Sequence, residues 1–185
     1  LAWNGKGNRL LVIYNSEGKI KMFTYDIYAR IKRDKLTLDQ FDQIQDVKFM
    51  LDDNTLLMSA VKNGQSDIFT FKIDRERAEQ ITNDVFDDLD PSFVTFPNKS
   101  GILYSSNRPS SGAMSSDTVL PSNNRFNVFL IDNFNKSEFR QISQLSNLKY
   151  GNARFPTQYN SSHFTFVGDQ NGINNRYAGF FSTAR

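Results

Sequence analysis

The 185-residue chain has no cysteine. That excludes disulfides, thiolate metal sites and a cysteine nucleophile. It has a single histidine, His163. A histidine-based metal site needs more than one such ligand, or one with converging carboxylates. No Gly-x-Ser-x-Gly elbow is present for a serine nucleophile. Asn4-Gly5-Lys6-Gly7 superficially looks like a phosphate loop, but it lies between strand patterns with no helix after it. Acidic residues are plentiful, yet nothing singles out a pair for glycoside hydrolysis. No apolar run approaches the roughly 18–20 residues that span a bilayer. The net charge is only +2, and just Arg30 to Lys35 is locally basic. A nucleic-acid binder concentrates such charge on one face. The expectation is no catalytic residue, no cofactor, no metal and no nucleic-acid partner.

Aromatics are abundant, with 17 Phe and 7 Tyr. They fit the half-buried pleated face of a strand. No basic, then apolar, then small-residue start is visible. Leu1 opens inside a strand pattern, so the chain is expected to be a piece of a longer protein whose targeting segment is missing.

An internal repeat organises the sequence. Trp3, Phe49 and Phe93 are separated by 46 and 44 residues, and Leu10, Leu56 and Ile102 by 46 each. Lys21–Ile27 (KMFTYDI) lines up with Asp67–Ile73 (DIFTFKI), and the third copy continues as Asn127–Asp132 (NVFLID). A fourth copy starts at Phe155 and ends at Arg176–Phe181. Ile102 to Phe164 spans 62 residues, so the third copy carries an insertion of about 16. It falls within Ser106 to Phe126, rich in Ser, Pro, Gly and Asn. Short strands at a period near 45 predict an all-β fold, a β-propeller of four-stranded antiparallel blades with about four blades present. The blades are expected near 1–45, 46–89, 90–151 with an inserted loop at 108–125, and 152–185. Thr37 to Val47 is expected to be a loop with one helical turn. Trp3, Phe49, Phe93 and Phe155 are expected in the core, because blades pack through such positions.

Gln80-Ile81-Thr82, Asp90-Pro91-Ser92-Phe93, Ile102, Tyr104, Asn107-Arg108 and Asp67-Ile68-Phe69 together resemble the repeat of TolB-type propellers. The usual Asp-Gly turn is replaced by Pro97-Asn98-Lys99-Ser100-Gly101 in copy three. The resemblance implies a six-bladed ring, of which this chain would supply part. It also implies a non-catalytic binding scaffold at the bacterial cell envelope, periplasmic or outer-membrane-associated, with a protein partner or a peptide or glycan. The alternative it implies is the gating propeller of a prolyl-oligopeptidase-like serine peptidase whose catalytic domain lies outside this chain. Fold does not choose between them.

Two sets of candidate residues follow. Long loops on rigid scaffolds carry partner contacts, which puts Arg108, Met114, Leu120 and Arg125 forward. A polar side chain also lies three residues before each later anchor: Asp46, Asp90 and Asn152. Such acceptors cap backbone N–H groups of tight turns, or they form a polar ring at a channel mouth. Asp87, Asp88 and Asp90, in an expected acidic loop closed by Asp90-Pro91, are its densest stretch, and a hard cation would need oxygen ligands of this type.

Overall fold

The computed structural model describes residues 1–96, 99–113, 125–132 and 140–181. The chain divides into two compact units, Leu1–Thr82 and Asn83–Arg185. All regular structure among the described residues is antiparallel strand.

The first unit holds two four-stranded sheets, each a meander in chain order. One contains β1 (Ala2–Trp3), β2 (Arg9–Ser16), β3 (Lys19–Asp26) and β4 (Ile31–Thr37). The other contains β5 (Gln43–Phe49), β6 (Thr55–Lys62), β7 (Gln65–Lys72) and β8 (Arg77–Gln80). Two-residue turns close β2 to β3 and β6 to β7. Glu17-Gly18 and Asn63-Gly64 all have positive φ, near 54° and 74° and near 53° and 78°. That is the turn whose twist matches paired strands, and it favours Gly at the second position. β6 and β7 are buried along nearly their whole length. Their apolar residues, Leu56, Leu57, Met58 and Ala60 on β6 and Ile68, Phe69 and Phe71 on β7, are buried together with Ser59, Asp67 and Thr70. The core joins Leu11 and Met22 to Leu56, Met58, Phe69 and Phe71. Phe41 meets Phe69 edge-on with ring centroids 5.0 Å apart.

The second unit holds a four-stranded and a three-stranded sheet. The first contains β9 (Asp88–Phe96), β10 (Lys99–Ser106), β11 (Asn127–Asp132) and β12 (Gln141–Gln144). The second contains β13 (Ala153–Gln158), β14 (His163–Gly168) and β15 (Asn175–Phe180). In β14 every second residue is buried, which sends Phe164 and Phe166 into a core with Leu103 and Val128.

Three expectations need correction. Gln43–Phe49 is strand β5 rather than part of a loop with a helical turn. It pairs with β6 from Gln43 to Phe49, with one bulge between Ile44 and Asp46, a run of ladder bonds that a single helical turn does not provide. Trp3 and Phe155 are not core: they are 55% and 56% exposed. Phe49 and Phe93 are only half-buried. The most buried rows instead come from β6, β7, β10, β11 and β14, each paired with a strand on both sides. Finally, the acidic stretch before Phe93 enters β9 at Asp88 and does not stay a loop.

The third and fourth strands are tied by a recurring clasp. In the first unit, the Ile81 and Thr82 N–H groups both donate to the Ile68 carbonyl, at 2.8 and 3.3 Å. The Ile68 N–H donates to Thr82 Oγ1 at 2.9 Å, and that hydroxyl donates to Asp67 Oδ1 at 3.2 Å. In the second unit, the Leu145 and Ser146 N–H groups donate to the Val128 carbonyl at 2.8 and 3.3 Å. The Val128 N–H donates to Ser146 Oγ at 2.8 Å, and that hydroxyl donates to Asn127 Oδ1 at 3.0 Å. Gln-Ile-Thr and Gln-Leu-Ser are therefore one device built twice.

Candidate functional site: the anchored ends of the long insertion

β10 ends at Ser106, and Arg125-Phe126 lead into β11. Each end of this connection is fastened.

At the leading end, Arg108 is buried, with its side chain 1% exposed. Its Nη2 donates to Asp84 Oδ2 at 2.9 Å and to both oxygens of Asp88 at 3.1 and 2.9 Å. Its Nε and its backbone N–H donate to Ser106 Oγ at 3.0 and 3.2 Å. The rings of Phe86, Tyr104 and Phe129 stand 5.5, 5.5 and 5.7 Å from the guanidinium carbon. Burial alone would lower the pKa of Arg108. The Tyr104 phenol and the Asp88 and Asp84 carboxylates outweigh it and raise it. Burial likewise pushes the Tyr104 phenol well above its ordinary range, helped by Asp88. Among the described residues, Tyr104 Oη has no hydrogen-bond partner. Asn107 completes this end: its Oδ1 accepts from the Asp87 N–H at 2.8 Å.

At the trailing end, Asn152 Oδ1 accepts from the Phe126 N–H at 3.0 Å, and Ala153 N–H donates to the Phe126 carbonyl at 2.8 Å. The Asn152 N–H donates to Asp169 Oδ1 at 2.6 Å. Arg125 donates through Nη1 to the Lys149 carbonyl and lies over the Tyr150 ring at 5.7 Å. Lys149 Nζ stands 5.4 Å from the same ring, and Tyr150 is 57% exposed. The connection thus emerges beside an exposed aromatic carrying two cations.

The other predicted residues fall as follows. Arg108 lies inside the unit instead of on a contact surface, because two carboxylates meet its charge there. Met114 and Leu120 are outside the described residues. Arg125 is half-buried at the trailing end. Asp46 sits at a bulge of β5, accepts from its neighbour Val47 N–H at 3.0 Å, and faces Lys48 at 3.7 Å. It helps line a cleft of about 180 Å³ with Leu1, Ile13 and Val47. Asp90 is 4% exposed and is held by Arg154, whose Nη2 donates to Oδ1 at 3.0 Å, and by the Phe155 N–H at 3.2 Å. The hydrogen bond that Arg154 donates to Asp90 raises the Arg154 pKa against the opposing effect of burial.

The carboxylates of Asp87, Asp88 and Asp90 do not converge. They turn to Asn107, Arg108 and Arg154 respectively. Asp90 and Phe155 share an unusual backbone, each with φ near 54° and each followed by Pro at a bulge. Proline has no N–H to give a ladder, so a bulge is where a strand tolerates it. The Asp-Pro pair was readable in sequence. The matching Phe-Pro bulge was not.

Solved structures resemble this architecture. TolB from Acinetobacter baumannii aligns with 98% of the chain at a TM-score of 0.65 and 13% identity. The chain has a TolB-like β-propeller fold. This propeller chain spans 42% of the length of that TolB chain. The β-propeller domain of the Trilobed protease from Pyrococcus furiosus matches 96% of it at a TM-score of 0.52 and 9% identity, over 65% of that chain. Puromycin hydrolase matches 90% of it at 0.58 and 10% identity, over 24% of that chain. No protein-family model and no curated protein sequence matches the propeller chain.

Proposed function

We propose that this chain is a non-catalytic binding scaffold that engages a protein partner at the bacterial cell envelope through the 108–125 connection. A peptide or glycan is the other partner chemistry this reading admits. One observation carries the proposal: both ends of the connection are held by dedicated side-chain bonds, Arg108 at one end and Asn152 at the other. Anchored ends reduce the entropy that a loop loses when it orders against a partner. The likeness to TolB over 98% of the chain supports a scaffold of this type. The exposed Tyr150 with Arg125 and Lys149 supplies an aromatic and cationic rim where the connection returns. Aromatic and Arg side chains are the common anchors of protein interfaces.

The test is capture from envelope extract by the intact chain and by a variant lacking residues 111–123, which keeps both anchors. The proposal expects one or more partners to be lost with the deletion at unchanged urea midpoint. An identical capture profile would refute it.

The likeness to protease and hydrolase propellers favours a second reading, a gating propeller for a serine peptidase. A Gly-x-Ser-x-Gly segment encoded downstream in the same reading frame would select that reading over the first.

A further inference from the structure

Asn-Gly occurs three times in the chain, at Asn4-Gly5, Asn63-Gly64 and Asn171-Gly172. The pair is chemically labile, because no Cβ shields the glycine nitrogen from the neighbouring carboxamide. The fold treats the three copies differently. Asn4 is 4% exposed. Its Nδ2 donates to Asn8 Oδ1 at 2.7 Å and to Asp53 Oδ1 at 2.9 Å, and its Oδ1 accepts the Asn8 and Arg9 N–H groups at 3.0 and 2.9 Å. That carboxamide is tied at both ends. At the third pair, Asn171 Oδ1 accepts from the Ile173 N–H at 3.3 Å and from Asn175 Nδ2 at 3.1 Å. The Gly172 N–H is occupied as well, donating to the Asp169 carbonyl at 2.8 Å. Asn63-Gly64 is the two-residue turn between β6 and β7, and both residues are exposed. Among the described residues, neither the Asn63 carboxamide nor the Gly64 N–H has a hydrogen-bond partner. The space where a Gly64 Cβ would stand is open.

We propose that Asn63 is a self-modification site: its carboxamide is lost to the Gly64 nitrogen, and the isoaspartate that results loosens the β6–β7 hairpin. The Gly64 amide nitrogen gives its proton to hydroxide and attacks the Asn63 side-chain carbonyl carbon. A C–N bond forms there, the bond to Nδ2 breaks, and ammonia leaves with a proton taken from water. The cyclic imide then takes up one water and opens at either carbonyl. One opening gives aspartate. The other gives isoaspartate, in which the main chain runs through the former side chain. Both products put a new carboxylate on the residue whose N–H is held by Asp42 Oδ2 at 2.9 Å, and like charges repel. Isoaspartate also lengthens the main chain by one carbon, in a turn that closes directly on the Lys62–Gln65 pair. The ladder beneath runs unbroken to Thr55–Lys72 and carries Asp67 and Ile68 of the clasp. A change at an exposed tip therefore bears on the register of two buried strands.

This inference does not rest on the 108–125 connection, and its failure would leave that reading untouched. The test is peptide mapping by mass spectrometry of the 185-residue chain held at mildly alkaline pH and body temperature. Each deamidation reads as a gain of one dalton, and fragmentation separates isoaspartate from aspartate. The expected result is that Asn63 reacts first in the folded chain. Its rate should exceed that of Asn171 by about tenfold or more, a barrier difference of about 1.4 kcal/mol, with Asn4 slower still. In urea that unfolds the chain, the three rates should converge, since all three asparagines precede glycine. Asn63→Asp supplies the new charge without the longer backbone. Amide exchange across Thr55–Lys62 and Gln65–Lys72 should therefore be faster in chain aged to isoaspartate than in this variant. The proposal is overturned if Asn4 or Asn171 reacts as fast as Asn63 in the folded chain. It is also overturned if Asn63 stays intact there while the urea-unfolded chain reacts, or if the aged chain and the Asn63→Asp chain exchange alike.

Discussion

Replacing Arg108 by Met keeps a long side chain among Phe86, Tyr104 and Phe129 but removes the cation that bridges Asp84 and Asp88. Those carboxylates are 9% and 0% exposed. Water cannot take over the role of the guanidinium at Asp88. Breaking a buried ion pair from one side costs about 3–5 kcal/mol, against a whole-domain stability of roughly 5–15 kcal/mol. Arg108→Met is therefore expected to leave the second unit marginal. The readout must come from that unit. The only tryptophan, Trp3, lies in the first, so its fluorescence does not report on the cluster. Urea unfolding should be followed by amide exchange across Lys99–Ser106 and Asn127–Asp132. A second variant, Asp88→Asn, completes a double-mutant cycle. The two changes should cost less together than separately, with a coupling of about 1.5 kcal/mol or more. A loss below about 1 kcal/mol for Arg108→Met, or strict additivity, would refute the view that this pair fastens the insertion.

Tyr104→Phe removes a buried hydroxyl that has no hydrogen-bond partner among the described residues, so it should be neutral or stabilising by about 1 kcal/mol in the same urea assay. Burial raises the Tyr104 pKa, so the folded state holds its proton where the unfolded state releases it. Stability should fall as pH rises past the ordinary tyrosine value of about 10, and Tyr104→Phe should flatten that decline. Asp52 has a lowered pKa. Burial opposes that shift, but the Thr55 side chain and backbone and the Asn54 N–H outweigh it. Its contribution is present above the unfolded carboxylate pKa and lost as pH falls through the folded one. Asp52→Asn should thus lower the melting temperature at pH 7 and cease to matter in acid. Phe155→Gly relieves a positive φ at an exposed side chain and should leave stability unchanged or raised, whereas Phe155→Val should cost about 1–2 kcal/mol in a thermal melt.

The period of aromatic and aliphatic residues carried the fold. Phe69 and Phe129 occupy equivalent register positions in β7 and β11, and a two-residue alternation shows such rows directly. The Gln80-Ile81-Thr82 motif was equally plain, although its partner Asp67 is distant in sequence and only the register of β7 brings them together. Arg108 was harder. It stands next to Pro109 in a polar stretch, which reads as exposed loop. Only the burial of Asp84 and Asp88 around it reveals an internal charge. The exposure of Trp3 and Phe155 was invisible for a different reason. Both sit on first strands, where one face has less covering, and aromatic identity says nothing about coverage.

The fastening of Arg108 and Phe126 has a consequence for how such a protein can change over time. Because the sheet closes its own ladder at Ser106 and Asn127, whatever is spliced between the fasteners leaves strand register alone. Doubling the length of such a span adds only about 0.6 kcal/mol of closure entropy. New recognition can therefore be grafted there, residue by residue, without renegotiating the scaffold beneath it.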